Sequence, residues 1–190
     1  FDDQYDIGKV TNYIFDDGVQ KHCRHFCGRK QELNQLHDLL TQEGKVFVHG
    51  IPGIGKSELA KAYAKEHKKE YTNILYLSYS GSLKKDITDL PFADDRPTDS
   101  EIDLFRKHNR FLRTLKSDTL IIIDNFDTLP EDDNFLPVVF KYRCRILFTT
   151  RSIFSGQAGL ELTEIEHSED LFRLVSCFYP DAEKCRPLIE

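Results

Sequence analysis

Residues 50–57 read Gly50-Ile51-Pro52-Gly53-Ile54-Gly55-Lys56-Ser57. The stretch fits the pattern Gly-x-x-x-x-Gly-Lys-Ser/Thr of a phosphate-binding loop. Its glycines permit a tight turn that aims backbone N–H groups at anionic oxygens, and the following helix adds the positive end of its dipole. The pattern predicts that Lys56 reaches the β- and γ-phosphates of a nucleotide and that the Ser57 hydroxyl ligates Mg²⁺. We assign the whole stretch, together with Glu58 after it, to nucleotide binding.

The residues on either side of this loop supply the context that such a loop requires, which is a buried strand before it and a helix after it. Residues 45–49 are a short run of β-forming residues. After the loop, the apolar positions Leu59, Ala60, Tyr63 and Ala64 share one helical face. This context favours a phosphate site over a glycine-rich turn that binds nothing.

Composition limits the class of protein. The 190 residues suffice for one medium domain, and the formal net charge of −6 does not give the basic surface of a nucleic-acid binder. No apolar run approaches the roughly 20 residues of a membrane span. The cysteines are odd in number and irregularly spaced, which favours free thiols and a cytoplasmic location. Because the sequence begins at Phe1 and contains no Met, we expect an internal piece of a longer protein.

Residues 1–27 form a lead-in, of which residues 1–19 are acidic and aromatic without a clear period, and we expect an irregular segment there. Its end crowds four potential zinc ligands into six residues, namely His22, Cys23, His25 and Cys27. Ligands this close together cannot easily surround one ion, and no second pair follows at finger-like distance. We therefore predict an ordinary loop here rather than a zinc site.

A second, fully apolar strand over residues 119–124 ends in a carboxylate, Asp124. Parallel strands that are buried on both faces have this composition. Asp124 is expected beside the phosphate-binding loop, where it would hold Mg²⁺, usually through water. Asn125 and Asp127 follow it, and both are candidates to position or activate water.

Three further β-rich runs complete the expected sheet: residues 73–78, 144–152 and 160–165. The second of these ends in two threonines and Arg151. Side chains at the carboxyl ends of parallel strands lie in the ligand crevice, so Arg151 is expected to face the nucleotide. A surface salt bridge is the alternative.

Apolar spacing also predicts three more helices, over residues 28–40, residues 98–115 and a segment capped by Ser168. The second helix would begin with a capping box formed by Thr98 and Glu101. Its apolar stripe would contain Ile102, Phe105, Leu112 and Leu115. Residues 80–97, with Gly, Pro and paired Asp, are expected to form a loop.

Four motifs in this order resemble the NB-ARC type nucleotide-binding domain of STAND ATPases. They are Phe26-Cys27-Gly28-Arg29 with Glu32-Leu33, then GIPGIGKSELA, IIIDNFD and ILFTTRS, followed by the ELTEI strand and its helix. The resemblance implies a three-layer α/β P-loop NTPase domain over residues 28–165, with a five-stranded parallel sheet in the order 5-1-4-3-2. Residues 166–190 would be the truncated start of a helical subdomain.

The same resemblance implies a signalling ATPase that rests with ADP, exchanges it for ATP with Mg²⁺, and then self-associates. Phe26, Gly28 and Arg29 would approach the nucleotide, and Arg151 would be the sensor of the γ-phosphate. Sensor and effector domains would lie outside this chain.

Two departures from the family pattern affect this expectation. Asn125 stands where many members carry a second acid, so that Asp127 is the nearest carboxylate and hydrolysis is expected to be slow. The sequence also ends at Glu190, before the Gly-Leu-Pro-Leu-like helix and the winged-helix region. An ADP-locked scaffold without turnover therefore stays open. A metabolic kinase or GTPase is a weaker alternative, because no Asn-Lys-x-Asp signature and no Arg-rich lid are present.

Overall fold

The computed structural model describes residues 26–92, 94–129, 131–165 and 168–179. One five-stranded sheet has the order β2-β3-β4-β1-β5, and every neighbouring pair is parallel. The strands are β1 Lys45–His49, β2 Asn73–Ser78, β3 Thr119–Asp124, β4 Arg145–Thr150 and β5 Gly159–Glu161. The helices are α1 Lys30–Glu43, α2 Lys56–Glu66, α3 Leu83–Thr88, α4 Glu101–Thr114, α5 Leu136–Val139 and α6 Ser168–Phe178. The predicted α/β class and strand order are confirmed.

Alternating burial along the strands produces the three layers. Val46 and Val48 of β1 join a cluster with residues of α1 and α2, whereas Phe47 between them joins a cluster with residues of α3 and α4. Successive side chains of a strand point to opposite faces, so the helices of the two clusters cover opposite faces of the sheet. All six residues of β3 are buried, as the apolar run predicts for a central parallel strand.

The segment over residues 80–97 is not only a loop, as the sequence analysis expected. It contains α3, whose N-cap Ser82 accepts a hydrogen bond from the backbone N of Lys85. Leu83 and Ile87 lie one turn apart and are both buried against the sheet. Six residues provide too short a periodic pattern to distinguish a helix from a loop by spacing alone.

The start of α4 also differs from the expectation. Ser100, not Thr98, is its N-cap, and Ser100 Oγ accepts from the backbone N of Asp103 at 3.2 Å. The cap lies two residues later than predicted because Ser100 also has an acid three residues after it, and Ser100 Oγ donates to Asp103 Oδ2 at 2.6 Å. Ile102, predicted for the apolar stripe, is 60% exposed, while His108 is fully buried among the stripe residues.

The last strand is shorter than the predicted run over residues 160–165. β5 ends at Glu161, after which the backbone N of Leu162 donates to the carbonyl oxygen of His49 at 2.8 Å. Residues 1–25 of the lead-in lie outside the described residues, and with them His22, Cys23 and His25, for which an ordinary loop was predicted. Within the described residues, no helix is long and apolar enough to cross a membrane.

Candidate nucleotide-binding site

The phosphate-binding loop connects the carboxyl end of β1 to the amino end of α2. β1 lies between β4 and β5, with His49 in register with Thr150 of β4. Gly55 is the N-cap of α2, and its positive φ of 101° is accessible to glycine without strain. The loop therefore lies at the carboxyl-terminal end of the parallel sheet, where β3 and β4 also end.

The space around the loop glycines shows whether a phosphate group fits there. Gly53 and Gly55 have φ values of 81° and 101°, and a Cβ atom built on either would meet no other heavy atom within 4 Å. Both residues therefore have a backbone conformation that favours glycine, and the space beside each is open. Gly50 differs, because a Cβ there would lie 2.5 Å from the carbonyl oxygen of Leu162. The loop fits the anion-binding role predicted from its sequence.

Lys56 lies across the loop and is only 9% exposed. Its Nζ donates to the carbonyl oxygens of Gly50 at 2.8 Å and Ile51 at 3.0 Å. Burial lowers the pKa of Lys56 below its ordinary value. The positive charge of Arg151 lowers this pKa further, whereas the negative charges of Asp127 and Asp124 raise it. Lys56 thus shares its electrostatic environment with all three charged residues predicted from the other two motifs.

Asp124, at the carboxyl end of β3, accepts hydrogen bonds from three side-chain hydroxyls. Its Oδ1 accepts from Ser57 Oγ at 2.7 Å and from Thr149 Oγ1, and its Oδ2 accepts from Tyr76 OH at 2.5 Å. The predicted Mg²⁺ ligands Ser57 and Asp124 are therefore in direct contact, which places them close enough to hold one ion. Both offer the oxygen ligands that Mg²⁺ prefers.

The sequence analysis missed Tyr76 and Thr149. Burial and the hydrogen bond to Asp124 raise the pKa of the Tyr76 hydroxyl, so it stays a neutral donor. Thr149 was visible as the first polar residue after the apolar part of β4, but only its place beside β3 brings it to Asp124. Tyr76 carried no comparable signal, because a Tyr in a strand is ordinary.

Asn125 adopts a left-handed backbone conformation with φ of 58°. Its backbone N donates to Thr149 Oγ1 at 2.9 Å, and its Nδ2 lies 3.4 Å from Asp124 Oδ2. Asn and Asp tolerate this conformation better than other residues with a Cβ. The Asn125 side chain therefore lies beside Asp124.

Asp127 and Arg151, which the sequence analysis treated separately, contact each other. Asp127 Oδ1 accepts from the backbone N of Arg151 at 2.7 Å, and Oδ2 lies 2.8 Å from Arg151 Nε. The Arg151 side chain is 61% exposed. The salt bridge that was the alternative for Arg151 is thus present, and it is made to another residue of the predicted site.

The remaining predicted site residues contact neighbours in their own segments. Arg29, with φ of 63°, pairs with Glu32 at 2.7 Å, and Glu58 pairs with Lys61 at 2.9 Å. Phe26 packs against the cluster that contains α1 and α2. A Cβ on Gly28 would lie 3.0 Å from Asp170 Cβ, so this glycine allows α6 to approach. Nucleotide contacts of Phe26, Gly28, Arg29 and Glu58 stay predictions.

We expect Gly50→Ala to destabilise the domain more than Gly44→Ala. Both glycines have positive φ, so both variants carry a backbone cost of roughly 1–2 kcal/mol. A Cβ on Gly44 meets nothing within 4 Å, whereas the one on Gly50 collides with the Leu162 carbonyl and adds about 1–3 kcal/mol. Urea denaturation measures the difference, and equal losses for the two variants would contradict the close approach of the loop to Leu162.

Comparison with solved structures shows the same fold, with a TM-score of 0.55 in each of three cases. Cdc6p from Pyrobaculum aerophilum is 16% identical, and the match covers 90% of this chain and 52% of that one. Orc1 from Aeropyrum pernix, solved in complex with DNA, is 12% identical over 80% of this chain and 49% of that one. A Walker-type ATPase of Pyrococcus abyssi is 14% identical over 88% and 62%. The chain thus spans about half to three fifths of these proteins.

None of the curated proteins matches the sequence significantly. A family model described as an AAA domain matches residues 37–163, which contain the phosphate-binding loop, Asp124 and Arg151. That match covers most of the chain and both nucleotide motifs. The chain therefore belongs to the AAA domain family of P-loop ATPases.

Proposed function

We propose that this chain is the ATP- and ADP-binding regulatory module of a STAND-type signalling ATPase, which changes state when ADP is exchanged for ATP. The observation that supports this most is the contact between Asp127 and Arg151 at the edge where Lys56, Ser57 and Asp124 meet. An arginine near the phosphate loop, held by a carboxylate, has two alternative anionic partners. Such a residue can distinguish two nucleotides by one phosphate.

Different groups of the site would bind the phosphates and the metal ion. Backbone N–H groups at the start of α2 and the Lys56 ammonium would bind the phosphates, and Ser57 and Asp124 would hold Mg²⁺. The bound nucleotide would supply the γ-phosphate whose presence or absence defines the two states. Arg151 can exchange its partner because its side chain is exposed and its ion pair with Asp127 lies at the surface.

The partners of this module are proposed from the resemblance of its motifs to NB-ARC domains. Self-association in the ATP state, and sensor and effector domains elsewhere in the protein, follow from that resemblance. Orc1 from Aeropyrum pernix was solved in complex with DNA, but the net charge of −6 here favours no nucleic-acid partner for this domain. We therefore propose adenine nucleotide as its direct ligand.

We expect Arg151→Ala to weaken ATP binding while leaving ADP binding nearly unchanged. A hydrogen bond to a charged group contributes about 1.5–3 kcal/mol, which corresponds to a roughly 10- to 150-fold loss of ATP affinity. Isothermal titration calorimetry with ATP and with ADP, each in the presence of Mg²⁺, measures the two dissociation constants. The matched control is Arg106→Ala, which removes the same charge from an exposed position on α4.

Equal losses of ATP and ADP affinity in Arg151→Ala, or no loss of either, would contradict the role as a sensor. Two further measurements separate the alternatives. Tight ADP binding without any measurable ATP turnover would favour the locked scaffold. Stabilisation by GTP equal to that by ATP, or phosphorylation of an added small acceptor, would favour the GTPase or kinase.

A further inference from the structure

Two histidines and a carboxylate meet on the surface where α1 packs against the end of α2. They are His37 of α1, His67 at the C-cap of α2, and Glu70 in the 3-10 turn Lys68–Glu70. Glu70 Oε1 lies 2.7 Å from His67 Nδ1, and Oε2 lies 3.9 Å from His37 Nδ1. One potential ligand atom from each residue lies within 4.8 Å of the other two.

Both rings contact a buried neighbour, Tyr63. The Tyr63 ring stacks on His67 with centroids 4.4 Å apart, and its hydroxyl lies 3.2 Å from His37 Nδ1. Tyr63 is itself fully buried and bonds to the Tyr71 hydroxyl at 3.0 Å. The core therefore keeps the two histidines close together, but His37 Nδ1 must leave the Tyr63 hydroxyl before it can bind an ion.

We propose that His37, His67 and Glu70 form a binding site for a divalent transition metal of the zinc class, with water as its fourth ligand. Imidazole nitrogen and carboxylate oxygen are ligands that Zn²⁺ takes at about 2.0–2.2 Å, which places tetrahedral ligand atoms about 3.3 Å apart. The separations in the structure lie on either side of that value: 2.7 Å from Glu70 Oε1 to His67 Nδ1, and 3.9 Å from Glu70 Oε2 to His37 Nδ1.

Small side-chain movements complete the geometry. The His37 and His67 rings are stacked at 4.3 Å with an angle of 11° between their planes. A lone pair lies in the plane of its ring, so the rings must rotate out of this stack to direct both lone pairs at one ion. The side chains of His37, His67 and Glu70 are 31%, 15% and 48% exposed, which leaves room for rotation and for a water ligand.

The charges around the carboxylate affect the expected affinity. Glu70 supplies the one acidic side chain among the three proposed ligands. Lys68 and Lys69 are exposed next to it, and Arg145 also acts on its charge, so these cations oppose a second positive ion. We expect a dissociation constant in the micromolar range rather than the tighter binding of cysteine-rich structural sites.

This site is distinct from the nucleotide site. α2 begins at Lys56 in the phosphate-binding loop and runs for 11 residues before His67, which is about 17 Å at 1.5 Å per residue. A metal ion here would join α1 to the far end of α2. Its role would be to cross-link the two helices that carry His37 and His67, without contacting phosphate.

The test is isothermal titration of Zn²⁺ into the full chain with excess Mg²⁺, which occupies carboxylate sites of the nucleotide type. We expect one zinc per chain, and a loss of affinity of at least about 10- to 100-fold in each of His37→Ala, His67→Ala and Glu70→Gln. Glu66→Gln is the matched control, since it removes the same charge from an exposed residue one turn away. Circular dichroism without metal confirms that each variant is folded.

The absorption spectrum of bound Co²⁺ distinguishes binding at this site from binding by the cysteines near the amino terminus. Co²⁺ bound by thiolate gives an intense charge-transfer band, whereas a site of histidines and carboxylate gives only the weaker visible bands. We expect no thiolate band, and loss of the visible bands in His37→Ala. A thiolate band that accounts for all bound cobalt, undiminished zinc binding in His37→Ala, or no zinc binding by the wild-type chain would overturn the proposal.

Discussion

Replacing Lys56 with Ala is expected to remove most of the stabilisation that an adenine nucleotide gives this domain. Ligand at a hundredfold excess over its dissociation constant stabilises the folded state by about 2.7 kcal/mol. For a chain of this size that is a rise of about 5–10 °C in Tm. Lys56 is the buried ammonium that crosses the loop and bonds to the carbonyl oxygens of Gly50 and Ile51. The variant should therefore show little shift with Mg-ADP or Mg-ATP.

The comparison must be made within each variant, with and without nucleotide, because Lys56 also stabilises the loop itself through Gly50 and Ile51. Differential scanning fluorimetry across a nucleotide titration measures the shift directly. Lys69→Ala is the matched control, since it removes one positive charge from an exposed turn at the other end of α2. Equal shifts in wild type and Lys56→Ala would exclude residues 50–57 as the phosphate site.

The fold could be predicted from the sequence because its signals were local or repeated. The loop at residues 50–57 requires a strand before it and a helix after it, and the apolar run at residues 120–123 is typical of a strand that is buried on both faces. The order of the strands came from motif resemblance, not from spacing. Local propensity carries no information about which strand pairs with which.

The parts that were missed depend on neighbours far apart in the chain. Tyr76 and Thr149 reach Asp124 only because β2 and β4 flank β3. His108 was passed over as a polar residue on an apolar stripe. It is fully buried because its ring nitrogens meet the Ile87 carbonyl at 2.9 Å and Asp95 at 3.0 Å. A buried polar group is stable when both its hydrogen-bonding atoms find partners, and tertiary structure decides this.

The contact between Asp127 and Arg151 changes the expected chemistry of the site. By sequence, Asp127 was the nearest carboxylate that could replace the acid missing at Asn125. In the structure both of its oxygens are engaged by Arg151, Oδ1 by the backbone N and Oδ2 by Nε. Oxygens that already have these partners are less available to accept a proton from water. Asp127 is therefore better suited to positioning Arg151 than to activating a nucleophile.

We therefore expect the wild-type chain to hydrolyse ATP more slowly than the ~1 s⁻¹ lower end of typical enzymes, and Asn125→Asp to raise that rate. General-base assistance is worth roughly 10²–10⁴-fold, and we expect a gain toward the lower end of that range. Aspartate tolerates the left-handed backbone at φ of 58°, and the bond from the residue 125 backbone N to Thr149 would be kept. The new carboxylate would stand beside Asp124, and this repulsion limits the gain.

Single-turnover hydrolysis of ATP with excess enzyme measures the chemical step without product release. Asn134→Asp is the matched control, because it makes the same chemical change at an exposed position outside the site. Asp127→Asn should leave the slow wild-type rate within a few fold, since both oxygens of Asp127 are already engaged by Arg151. Wild-type turnover above ~1 s⁻¹ that Asp127→Asn abolishes would instead identify Asp127 as the base. An unchanged rate in Asn125→Asp would show that the missing carboxylate does not limit hydrolysis.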